Sequence, residues 1–150
     1  MFGQCLLLGL GLAGSTGFAQ SADRVDLGRL PTGATMSFVR AAGGDWGIEI
    51  ATGAAPLIQQ PKPAKLEVYR TDADIRQLAA GYKTVQKSGS GIDARVEIAY
   101  GDDVVFRVQD HWTLNGAVVS VKSNVEVVGN APGGFDSSVV LTIDPSVSWT

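Results

Sequence analysis

A chain of 150 residues, 45% of them hydrophobic and 18% charged, is long enough for one domain with a buried core. A formal charge of −3 and a pI near 5.0 exclude a strongly basic nucleic-acid binder, because the 12 Lys and Arg are spread thinly among acids. The same apolar content and small net charge exclude an intrinsically disordered chain.

Residues 1–19 hold no charged side chain, and positions 5–14 read CLLLGLGLAG. This short apolar run, ending in small residues at Gly17-Phe18-Ala19, predicts an export signal cleaved after Ala19. No Lys or Arg precedes it, and the alternative is a buried first strand or helix. The run is shorter than the ~20 apolar residues that span a bilayer, so no membrane contact is expected once the signal is removed. Cleavage takes away Cys5, the only cysteine, and leaves a periplasmic or extracellular chain without disulfides. Gly9–Gly14 matches G-x-G-x-x-G, but no strand precedes it and no β-α-β unit follows.

Residues 20–34 read as a polar lead-in, and 35–150 as the folded domain. Thr35–Arg40 and Asp45–Ala51 flank Ala41-Ala42-Gly43-Gly44, a hairpin signal. Pro56 to Pro63 reads as a link, since Pro61 and Pro63 forbid a central strand, and Lys65–Tyr69 follows as a short strand. One short helix is expected over about residues 72–86. Thr71 can cap it, Asp72 and Asp74 favour its dipole, and Ile75, Leu78, Ala79, Tyr82 and Val85 recur at helical spacing.

Beyond the Ser88–Gly91 loop the period changes to two. Ile92, Ala94, Val96, Ile98 and Tyr100 alternate with Asp93, Arg95, Glu97 and Ala99. Val104, Phe106, Val108, Asp110, Trp112 and Leu114 alternate with Val105, Arg107, Gln109, His111 and Thr113. A three-residue turn at Gly101-Asp102-Asp103 sets Tyr100 against Val104 and Ile98 against Phe106; a two-residue turn would mix the faces. Asn115-Gly116 reads as a type I′ turn, which sets Trp112 against Val119, Val108 against Ser123 and Phe106 against Val125. A last strand is expected over Ser137–Ile143. The fold class that follows is mainly β: an antiparallel β-sandwich with one short α-helix.

Little of this carries chemistry. His111 is the only histidine, and alternation sends it and Asp110 to opposite faces, so the two cannot pair without a bulge. One histidine and no mature cysteine make zinc improbable, no G-x-S-x-G elbow exists, and no metal or other cofactor is expected. Asp102 and Asp103 could ligate calcium or serve as a glycosidase acid, but a tight turn also selects Asp for its backbone bonds. Asp110 points with Trp112 towards the apolar face, so a bulge re-aims it or a neighbouring loop hydrogen-bonds it. The opposite face carries Arg107, Gln109, His111 and Thr113 beside Ser120, Lys122, Asn124 and Glu126. Such groups could line a sugar-binding face, dock another domain or simply be solvated. Trp112 reads as core, whereas Trp46 and Trp149 are open candidates for a stacking platform.

The run Asp110-His111-Trp112-Thr113-Leu114-Asn115-Gly116-Ala117-Val118-Val119-Ser120-Val121, with Val125–Gly129 and Gly134-Phe135-Asp136-Ser137-Ser138, resembles a known arrangement. It is similar to the N-terminal β-sandwich of secreted bacterial proteins of the six-hairpin glycosidase type, over residues 65–149. The resemblance implies a non-catalytic module of a larger exported carbohydrate-active enzyme, truncated at its C-terminal end. Its partner would be an (α/α) barrel catalytic domain in the same polypeptide, which holds the catalytic carboxylates, so no catalytic residue is transferred here. The alternative is a stand-alone secreted domain binding glycan or protein. Either way the candidate face comprises Arg107, Gln109, His111, Lys122, Asn124 and Glu126, with Trp46.

Overall fold

The computed structural model describes residues 23–71, 74–130 and 133–139. The expected export signal with Cys5, the last strand beyond residue 139, and Trp149 lie outside the described residues. Among the described residues the chain forms eleven strands and no helix. They are β1 (Arg24–Arg29), β2 (Thr35–Arg40), β3 (Trp46–Thr52), β4 (Ala55–Gln60), β5 (Ala64–Thr71), β6 (Asp74–Ala80), β7 (Thr84–Ser88), β8 (Gly91–Tyr100), β9 (Val104–Asn115), β10 (Val118–Val128) and β11 (Gly134–Val139).

Three antiparallel sheets result, in the orders β1-β2-β3-β4, β10-β9-β8-β7 and β11-β5-β6. Their lengths explain the assembly. β9 has 12 residues and runs roughly 40 Å, about twice the length of a six-residue strand. Its inner face is therefore covered in two halves. At one end Phe38 of β2 meets Trp112 edge-on, with ring centroids 5.5 Å apart. At the other, Phe135 of β11 meets Phe106 at 5.3 Å. One continuous core joins Met36, Phe38, Ile48 and Ile50 to Ile92, Val96, Val108 and Trp112, and on to Leu66, Val68 and Phe106. The architecture is sandwich-like and wholly antiparallel.

Several expectations change. The helix over 72–86 is replaced by β6 and β7 among its described residues. Residues 74–80 carry the helical spacing, and pairing along the edge of β5 overrides it: Leu78 pairs with Leu66 and Ala80 with Ala64, while Ile75 is left 50% exposed. Gly81 then lies against Pro61 O and Trp46 O, where a Cβ would sit 2.8 and 3.1 Å away. Tyr82 exchanges two backbone hydrogen bonds with Trp46, of 2.7 and 2.9 Å, which ties the first sheet to the entrance of β7.

The lead-in carries strand β1, whose Asp26 forms one row with Ser37 of β2 and Glu49 of β3 across the first sheet. Arg24 clamps that row, donating to Asp26, Glu49 and the fully buried Ser37 hydroxyl at 3.0, 2.9 and 2.7 Å. Within the Pro-rich link, β4 forms as an edge strand that ends before Pro61. The three-residue turn places Tyr100 opposite Val104 and Ile98 opposite Phe106.

The β9–β10 turn moves on by one residue, and the pairing register therefore slips by two. Asn115 faces Val118, so the loop is Gly116-Ala117; Gly116 has φ +59°, and among the described residues only glycines take positive φ, so Ala117 does not. Those signs belong to a type II′ turn rather than I′. Trp112 thereby meets Val121, Val108 meets Val125, Phe106 meets Val127, and Asp110 meets Ser123. A slip of two leaves every side chain on its own face, so alternation alone does not detect it. Polar Ser123 set against Asp110, with valines everywhere else, is the signal that does.

Candidate functional site

The outer face of the β7–β10 sheet carries six of the seven candidate residues, and register arranges them in rows. Thr84, Arg95, Gln109 and Asn124 form one row across four strands. At the ordinary strand spacing it spans about 14 Å. Glu97, Arg107 and Glu126 form the row on one side; Gln86, Asp93, His111 and Lys122 form the row on the other. Above the first two rows lies an open groove of about 690 Å³, which Lys83 also lines.

Its charges are largely committed. Arg107 donates from Nε to Glu97 at 3.0 Å and from Nη1 to Glu126 at 3.5 Å. The hydrogen bonds to Glu97 and then Glu126 raise the pKa of this guanidinium further. Lys83 pairs with Asp45 at 2.6 Å. By contrast Thr84, Arg95, Gln109 and Asn124 make no side-chain hydrogen bond among the described residues, which leaves a row of donors and acceptors facing solvent.

His111 has an acid partner that the local sequence does not suggest. Its Nδ1 donates to Asp93 Oδ1 on β8 at 2.6 Å, and the ring lies over Gly91, where a Cβ would come within 2.9 Å of Cε1 and Nε2. The hydrogen bond from His111 holds the Asp93 carboxyl below the usual carboxylate range against the opposing effect of burial, and Ser88 and Arg95 add to it. The pairing was implicit in the three-residue turn, since that register sets residue 93 opposite 111. The ring is half-exposed.

Trp46 does not join this face. It is 3% exposed, lies in the first sheet, and has the Arg40 guanidinium 4.7 Å above its ring. Trp112 is fully buried. Neither offers a stacking platform.

Asp110, on the inner face, is 1% exposed, and β9 carries no bulge there. Its Oδ2 accepts a 2.5 Å hydrogen bond from the Tyr82 hydroxyl, so the residue is met by a neighbouring connection rather than re-aimed. Burial first, and the adjacent Asp110 carboxyl second, push the Tyr82 phenol well above its ordinary value. Asp110 Oδ1 and Trp112 Nε1 are buried without a hydrogen-bond partner among the described residues. Asp102 and Asp103 sit exposed in their turn, and no group of three metal-ligating side chains occurs among the described residues.

Comparison with protein-family models, curated proteins and solved structures finds no match to this chain. The geometry of the polar face and the arrangement of its charges therefore carry the functional reading.

Proposed function

We propose that the chain is a non-catalytic β module of an exported carbohydrate-active protein, and that the outer face of β7–β10 is its recognition surface. The observation that carries this reading is the composition of the groove. A hydrolytic pair needs one carboxyl held protonated beside another that is ionised, both open to the substrate. Here Glu97 and Glu126 both close on Arg107, and Asp93 is tied to His111. What remains for a partner is the row Thr84–Arg95–Gln109–Asn124, which suits recognition rather than bond cleavage. In this reading the row docks an (α/α) barrel catalytic domain in the same polypeptide.

The same row favours a second reading, a glycan chain held by hydrogen bonds alone. Its donors and acceptors repeat at the strand spacing of about 4.8 Å, and the two described tryptophans are buried. Calorimetric titration of the chain with a panel of soluble polysaccharides separates the two. Docking predicts no binding, together with an open reading frame that continues into a helical-repeat domain whose melting point falls with R95E. Saturable binding abolished by Q109A and N124A establishes the glycan reading instead. Polysaccharide hydrolysis by the chain alone overturns both.

A further inference from the structure

We infer that β10 is a self-complementary edge, through which two copies of the chain join their β7–β10 sheets into one antiparallel eight-stranded sheet. This inference does not rest on the functional reading above. β10 is an 11-residue strand at the end of its sheet, paired on one side with β9 and on the other with no strand among the described residues. Proteins usually blunt such an edge with Pro, bulges, charged side chains, inward charges or brevity. β10 carries Lys122 and Glu126 on its outer face but none of the other devices: its sequence VVSVKSNVEVV has no proline, its register with β9 is unbroken, and its inward positions are four valines and one serine.

The sequence of the strand is a palindrome of polarity about Ser123. Antiparallel pairing with a second copy on a two-fold axis through Ser123 sets Val119 opposite Val127 of the other copy and Val121 opposite Val125. All four are half-buried and line the inner face, so the core continues across the junction. On the outer face Val118, 62% exposed, meets Val128, 37% exposed. Ser120 meets Glu126, and Lys122 meets Asn124. Lys122, which has no ion pair among the described residues, lies diagonal to Glu126 of the other copy, and symmetry makes that contact twice. Moving the axis by one residue puts Ser123 against a valine and shortens the ladder. The occupant that fits this edge best is therefore the strand itself. The two polar faces become contiguous, with Asn124 of one copy beside Lys122 of the other, so a recognition surface on this face is doubled.

The test uses the full chain with Cys5→Ser, which leaves S123C as the sole thiol. On the two-fold axis the two Cβ atoms face each other at a separation a disulfide accepts. Mild oxidation is expected to cross-link S123C and to leave the exposed control N115C largely monomeric. Sedimentation of the unmodified chain is expected to show a dimer, weakened about tenfold or more by K122E and restored by K122E/E126K. The exposed pair V118K/V128K, which sets lysine against lysine without touching the core, should also separate the copies. A chain that sediments as a monomer up to about 1 mM, or a dimer indifferent to these variants with no S123C cross-link, overturns the inference.

Discussion

Two aspartates on the same sheet make hydrogen bonds of almost equal length and do different work. Asp110, on the inner face of β9, accepts from Tyr82 at 2.5 Å in a site that water does not reach. Asp93, on the outer face of β8, accepts from His111 at 2.6 Å beside a half-exposed ring. Geometry alone does not rank them. In the interior, removing one partner leaves the other desolvated, whereas at the surface water replaces whatever is lost. The inner pair joins the sheets; the outer pair positions a ring on a solvated face.

Mutations on the two faces should separate by size. Trp112→Ala removes the ring that meets Phe38 and is expected to cost about 3–5 kcal/mol in a denaturant melt. Tyr82→Phe strips Asp110 of its only side-chain donor among the described residues and should cost about 1–3 kcal/mol. Y82F/D110L should recover part of that loss, because an apolar pair has nothing left to satisfy; an additive double mutant would show that the inner bond matters no more than an exposed one.

On the outer face, His111→Ala should cost roughly 0.2–1 kcal/mol near neutral pH. Because the folded Asp93 carboxyl lies below its unfolded value, its contribution is present above the ordinary carboxylate pKa and lost as pH falls through the depressed one. NMR titration should find Asp93 ionising below the usual range, and H111A should move it upwards.

The smallest effect compares two tyrosines that both donate to carboxyl groups. The hydrogen bond to Asp136 is the main reason the Tyr69 phenol is pushed up to about 12, with Glu67 contributing. That contact stabilises the fold below pH 10 and fades as pH rises towards 12. Ultraviolet titration should show Tyr69 ionising reversibly and D136N bringing it back down, while Tyr82 ionises only as the sheets separate.

The site was legible in its composition and only half legible in its pairing. Arg107, Gln109, His111, Lys122, Asn124 and Glu126 follow from strict alternation, and the Gly101–Asp103 turn already implied Asp93 opposite His111. Thr84 joins the row only once residues 84–88 are a strand, which the helical reading of 72–86 concealed. Trp46 illustrates the other gap. Its place near a turn left it open as a stacking candidate, but the backbone bridge to Tyr82 draws that end of β3 into the core.

By itself the sequence determined the β8–β9–β10 meander, which side chains share a face, and the length of the Gly101–Asp103 turn. Each of these is a local consequence of a two-residue period. Only the tertiary structure decided that residues 74–80 extend along β5, that Tyr82 reaches Asp110, and that the β9–β10 turn sits on Gly116-Ala117, which shifts the pairing by two residues. Those choices depend on partners distant in the chain, and they are made by burial and by the need to satisfy buried polar groups, which no local pattern records.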